Sequence, residues 1–208
     1  HHAAVWAPNM HDWIEAALGI LGAGGVLVTI NTRFKGSEAA YVLGKSRARL
    51  LFTAAELMSS VKPLVGSGLA ANQVVVCEGH APGYVDLAHF SAATSPTPFA
   101  PRHMEPDAPA SILYTSGTTG RQKGATLSHS NVLSNVHATR ECLHIDPSDR
   151  LLLFLPLFHC FGQNFIMNAG LASAATLVLH RRFEADRVLG STEADGVTMF
   201  FAVPTIYM

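Results

Sequence analysis

Short apolar runs alternate with longer segments of helical periodicity along almost the whole chain, and this alternation restricts the fold more than any other feature of the sequence. Met10, Trp13, Ile14, Ala17, Leu18 and Leu21 recur at the spacing of one helix face, which stops at the cluster Gly22, Gly24 and Gly25. The apolar run 26–30 that follows reads as a buried strand. The same pattern predicts a helix over 37–45, a strand over 50–53, a helix from Ala55 and a strand over 73–77. It resumes further on with a strand over 111–115, a glycine-rich loop, a helix over about 131–143 and a strand over 151–155. An apolar helix from Phe161, a strand over 176–179, a polar helix from Glu184 and a strand over 197–203 complete the series. Strands separated by helices need crossover connections, so the expected fold class is α/β, with a largely parallel sheet covered by helices.

The alternation is interrupted at 94–109, where Pro96, Pro98, Pro101, Pro106 and Pro109 fall among few apolar side chains. Proline removes the backbone donor that a sheet or helix needs, so this stretch reads as a linker between a first βα portion, 1–93, and a second, 110–208. Apolar residues make up 49% of the chain and charged residues 14%, a balance that favours extensive burial. A formal net charge of -1 excludes a broad electrostatic footprint for nucleic acid or an acidic membrane. Cys77, Cys142 and Cys160 show neither disulfide pairing nor zinc-ligand spacing, and the uncharged run 16–30 is too short and too glycine-broken to span a bilayer. A reducing cytoplasm is the expected compartment.

The candidate site begins with "YTSGTTGRQKG", residues 114–124. A strand that enters a glycine-rich turn ahead of a helix would leave amide N–H groups directed into one concavity, and such a nest binds anions. Ser116, Thr118 and Thr119 add hydroxyl donors, Lys123 a mobile charge and Arg121 a second cation, a set suited to a polyphosphate. The loop is not a P-loop, because Gln122 stands where that motif needs its second glycine after Gly117. Gly44-Lys45-Ser46 fails as well, with Ala39 at the first glycine position, and neither G-x-G-x-x-G nor G-x-S-x-G occurs.

"YTSGTTGRQKG", with the following "ATLSHSN", closely resembles the phosphate-binding signature of the adenylate-forming superfamily, which includes acyl-CoA synthetases, aryl-CoA ligases and peptide-synthetase adenylation domains. "LPLFHCFGQNF", residues 155–165, is similar to the family's next segment, and "AVWAPN" and "VTMFFAVPT" fall in the family's order, so the resemblance covers essentially the whole chain. Gln122 departs from it, standing where proline is usual.

The resemblance implies a fatty acid-CoA ligase, or acyl-CoA synthetase. Such an enzyme joins a carboxylate to ATP, carried with Mg2+, as an acyl-adenylate and then passes the acyl group to coenzyme A. It implies that Thr115, Ser116, Gly117, Thr118, Thr119 and Gly120 wrap the β- and γ-phosphates and that Lys123 holds the departing pyrophosphate. It implies that His159 orients the carboxylate or gates the acyl path, and that Phe158, Phe161, Gly162 and Gln163 belong to the acyl pocket. From composition alone, a histidine in an apolar stretch reads as a core residue. Phe161, Phe165, Ala169 and Ala172, beside Ile166 and Met167, offer an apolar wall and favour a fatty acid, although core packing predicts the same stripe. The family's adenine and ribose segments, its metal-binding acid and its small C-terminal domain are expected beyond Met208, so the chain by itself is expected to be inactive. A carrier protein as acyl acceptor and a non-catalytic nucleotide-binding remnant are the alternatives.

Overall fold

The computed structural model describes residues 1–93, 100–115 and 121–207, so the first positions of the Pro-rich stretch, 94–99, lie outside the described residues. The chain divides into two compact units: His1–Ala7 with His11–His129, and Pro8–Met10 with Ser130–Met208.

The first unit contains β1 (His2–Trp6), α1 (His11–Gly22), β2 (Val26–Thr29), α2 (Gly36–Ser46) and β3 (Leu51–Ala54). The short α3 (Met58–Val61) follows, then β4 (Val74–Cys77), β5 (Val85–Asp86), α4 (Leu87–Ala92), β6 (Pro109–Thr115) and β7 (Lys123–Ser128). The strands form one sheet in the order β5-β4-β3-β1-β2-β6-β7. Its pairings are parallel except that of β6 with β7. The runs VLVT, LFTA and VVVC of β2, β3 and β4 are buried at every position, as parallel strands covered on both faces must be.

Several expectations need correction. β1 was not foreseen as a strand, yet it is central, pairing with β2 on one side and β3 on the other. The helix expected from Ala55 is broken into 3-10 turns around the four-residue α3, with Pro63 in the last turn, Lys62–Leu64. On α1 the buried stripe is Trp13, Ala16, Ala17 and Ile20; Leu18 is 45% exposed. The small alanines let the helix approach the sheet closely. Most consequential is β7: the glycine-rich loop connects two antiparallel strands, so it is a hairpin loop and not the strand-turn-helix junction expected. β6, which follows the Pro-rich stretch, pairs with β2, which precedes it. Burial pushes the Cys77 thiol up to about 12, with the Asp12 carboxylate adding to the effect, which makes it an inert core residue. Among the described residues no helix is long and apolar enough to cross a membrane.

α5 (His129–Leu143) leads into the second unit, whose sheet has the order β10-β8-β9, all parallel, from β8 (Arg150–Leu153), β9 (Thr176–Leu179) and β10 (Met199–Phe200). The last of these is much shorter than the strand expected over 197–203. α7 (Ala185–Ala194) precedes β10. The apolar helix expected from Phe161 is a π-helix, Phe161–Asn168, which runs on into α6 (Ala169–Ala172). It buries Gly162, Gln163, Asn164, Ile166 and Met167, whereas Phe161 and Phe165 are half-buried and Ala172 is exposed. Of the expected apolar wall of Phe161, Phe165, Ala169 and Ala172, only Ala169 is buried.

Gly162 explains how this helix begins. A Cβ there would lie 2.5 Å from the Pro156 carbonyl oxygen and 2.7 Å from that of Leu155, both backbone atoms that cannot step aside by changing rotamer. Only glycine lets the turn after β8 lie against the first turn of the π-helix. Gly162→Ala is therefore expected to destabilise the fold by about 1–3 kcal/mol. Urea unfolding checks this, and an unchanged midpoint would mean that the turn is free to move away.

Candidate functional site

In the first unit, the candidate residues cluster at the loop end of the β6–β7 pair. Thr115 ends β6 and Lys123 begins β7, and the two are paired in register. Both are exposed, and the Thr115 hydroxyl donates to the Lys123 carbonyl oxygen at 3.5 Å. Ser116, Gly117, Thr118, Thr119 and Gly120 lie outside the described residues.

β7 has almost no apolar side chain with which to anchor itself, and its first four residues are exposed. Gly124 compensates by giving the neighbouring strand room. A Cβ there would come within 2.9 Å of the Ile112 side chain and 3.1 Å of the Tyr114 ring, so the glycine lets the ring lie against the β7 backbone. Burial raises the Tyr114 phenol pKa, with Tyr41 adding to the effect.

Gln122 has a specific partner in the first unit. Its side-chain amide donates to Glu38 Oε1 at 3.1 Å, while Glu38 Oε2 accepts the Lys35 backbone N–H at 2.8 Å at the start of α2. The hairpin end is thus tied to the capping carboxylate of a core helix. The exposed cations Arg121 and Lys123 flank this anchored residue, an arrangement able to hold a multiply charged anion.

The second unit brings together Phe158, His159, Phe161, Gly162 and Gln163 on the turn after β8 and the first turn of the π-helix. The His159 N–H donates to the Pro156 carbonyl at 3.1 Å, and the His159 carbonyl accepts the Gln163 N–H at 3.0 Å. The exposed His159 ring caps the helix: the Phe161 N–H donates to Nδ1 at 3.2 Å, with Cys160 Sγ 3.7 Å from the same nitrogen. An Nδ1 that accepts carries no proton, so Nε2 is the protonated nitrogen and offers an outward N–H donor.

Phe161, Phe165 and Phe201 form an edge-to-face ladder, with ring centres 5.1 and 5.3 Å apart, a half-buried aromatic surface close to His159 in the chain. Gln163 is only 2% exposed, and its side-chain carbonyl oxygen has no hydrogen-bond partner among the described residues. Asn164 beside it accepts from Asn168 at 3.1 Å.

One residue near these candidates that sequence reasoning did not single out is Asn9, whose side chain bonds the backbone of the turn that carries His159. In the sequence it closes the "AVWAPN" segment, and its place just ahead of a helix reads as a cap. His11, Asp12 and Glu15 place potential ligand atoms within 4.8 Å of one another at the start of α1. The Asp12 carboxylate already accepts the Glu78 N–H at 2.7 Å, and nothing there indicates a metal.

The comparisons with known proteins agree with this architecture. The family profile described as AMP-binding enzyme matches residues 1–208. A 3-[(3aS,4S,7aS)-7a-methyl-1,5-dioxo-octahydro-1H-inden-4-yl]propanoyl:CoA ligase of Rhodococcus jostii (strain RHA1) is 30% identical over 220 positions, covering 99% of this chain and 43% of that protein. A crystal structure of a long-chain-fatty-acid-CoA ligase from Archaeoglobus fulgidus superposes with a TM-score of 0.89 at 25% identity, over 99% of this chain and 40% of that one. ATP-bound MatB from Rhodopseudomonas palustris superposes with a TM-score of 0.86 at 27% identity, again over 99% and 40%. The chain thus spans less than half the length of these relatives. With the profile matched from end to end, this chain belongs to the AMP-binding enzyme family of adenylate-forming proteins.

Proposed function

We propose that the chain is the part of an ATP-dependent acid-thiol ligase that receives the triphosphate and the carboxylate. In the first step a carboxylate oxygen attacks the α-phosphorus of ATP. A carbon-oxygen-phosphorus anhydride forms, the bond to the β-phosphate's bridging oxygen breaks, and pyrophosphate leaves with that electron pair. In the second step a thiol, that of coenzyme A, takes the acyl group and releases AMP. Magnesium enters with ATP as part of the substrate.

The protein performs little covalent chemistry in the first step, so orientation and charge stabilisation carry the rate. The observation that carries this reading is the hairpin end, where Thr115 and Lys123 are paired in register and Gln122 is tied to Glu38. Thr115 to Gly120 would enclose the β- and γ-phosphates, and the Lys123 ammonium would neutralise the charge that grows on the leaving pyrophosphate. The ATP-bound relative supports the assignment of the nucleotide.

His159 would act as a neutral donor, its Nε2–H directed to a carboxylate oxygen while the Phe161 N–H occupies Nδ1. Phe158, Phe161, Gly162 and Gln163 would form the acyl end of the site. The aromatic ladder of Phe161, Phe165 and Phe201 supports an apolar acid, and a fatty acid is the substrate we assign, in keeping with the Archaeoglobus relative.

Two substitutions in the full-length gene product test these roles. Lys123→Ala is expected to slow ATP-pyrophosphate exchange about tenfold or more, the scale for losing one charged donor at a developing charge. Exchange at the wild-type rate would remove Lys123 from the mechanism. His159→Ala is expected to raise KM for the fatty acid about tenfold, the scale of a hydrogen bond to a charged group, and to leave KM for ATP unchanged. An unaltered KM for the acid would exclude that role.

A further inference from the structure

We propose that Asn9 is the positioning residue for His159, holding the turn 155–157 in the only place from which the imidazole can be presented. The inference rests on the role given to His159 above. Asn9 belongs to the short segment Pro8–Met10 that forms part of the second unit, and it is 5% exposed. Every polar atom of its carboxamide is used. Nδ2 donates to the Leu155 carbonyl at 2.9 Å and to the His180 carbonyl at 3.2 Å, while Oδ1 accepts the Leu157 N–H at 2.9 Å.

These partners are the backbone groups orphaned where the β8–β9 ladder ends. The final rung is the His180 N–H to the Leu153 carbonyl at 2.9 Å. In a continued parallel ladder the Leu155 N–H would next donate to the His180 carbonyl, but the chain turns away at Pro156 and Asn9 takes that acceptor instead. Leu155 and Leu157 are buried, so water offers them little, and a buried unpaired backbone group is costly. One side chain therefore completes two diverging strand ends.

The turn so fixed passes its position directly to His159. The Pro156 carbonyl accepts the His159 N–H, and Gly162 sits against the Leu155 and Pro156 carbonyls. The Phe161 N–H that orients the imidazole belongs to the same helix start. A shift of a few tenths of an ångström at Leu155–Leu157 would move the ring, its cap and the glycine contact together. Asparagine is needed for chemical reasons: ionised aspartate can accept from Leu157 but would face two carbonyl oxygens, and alanine leaves all three backbone groups unpaired.

The test uses Asn9→Asp and Asn9→Ala in the full-length protein, with steady-state kinetics for each substrate, thermal melting, and hydrogen exchange of the Leu157 amide in the wild type. The expected result is a KM for the carboxylic acid raised about tenfold in a folded variant, with KM for ATP unchanged within about twofold. A folded variant whose KM for the acid is unchanged overturns the proposal. So does a fall in kcat that merely follows loss of folded protein, with both KM values unchanged. Should neither variant fold, exchange decides: the Leu157 amide is expected to be protected like those of β8, and exchange at the rate of an exposed loop overturns the proposal. A wild type with no adenylating activity sinks the functional reading alone, and the exchange rate at Leu157 then decides whether Asn9 holds the turn.

Discussion

The burial of β1 on both faces is the constraint on which the first unit depends. Ala4, Val5 and Trp6 are fully buried, so every backbone group of the strand must find a partner in β2 or β3. The polar atoms at its end are satisfied in the same way. The Trp6 indole N–H donates to the Asn31 carbonyl at 3.1 Å, and the Trp6 carbonyl accepts the Thr53 hydroxyl at 2.9 Å. Once β1 is seated, β2 has one free edge left for β6, and β6 in turn offers its outer edge to β7. The hairpin end that carries Thr115 and Lys123 is thus held by a chain of pairings that begins in the middle of the core.

The second unit solves a different problem, that of presenting a polar ring from an apolar helix. A π-helix leaves its first amides unpaired, and the His159 ring supplies one of the missing acceptors. The same bond decides which ring nitrogen carries the proton. Glycine at position 162 lets the turn and the helix touch, and the Asn9 carboxamide closes the backbone groups that the turn leaves open. The orientation of the His159 ring is therefore a consequence of how the backbone groups of this turn are paired.

An adenylation reaction suits such a scaffold, because its demands are positional. A triphosphate is recognised by cations and hydrogen-bond donors, and a carboxylate by a well-aimed N–H. Gln122 ties the end of the loop to the first unit by a hydrogen bond to the capping carboxylate of α2. A partner so placed restrains the loop exit without removing a backbone donor.

The alternation of apolar runs with helical stripes determined the α/β class and most strand positions, because β2, β3, β4 and β8 are short apolar segments bounded by turns and separated by helical stripes, the pattern of buried parallel strands. Lys123 and His159 were named as candidates from the sequence because the side chains that suggest their chemistry are visible there. The centrality of β1, the edge strand β7 and the π-helix were decided only in three dimensions. "HAAVW" is a short run in which two alanines dilute the strand preference of its valine and tryptophan, and "KGATLS" has no buried face, so each becomes a strand because a neighbouring strand offers unpaired backbone groups. Asn9 is the clearest case: its partners lie 146 to 171 residues away, and no local pattern can announce a side chain whose purpose is to satisfy carbonyls that the folded chain alone brings together.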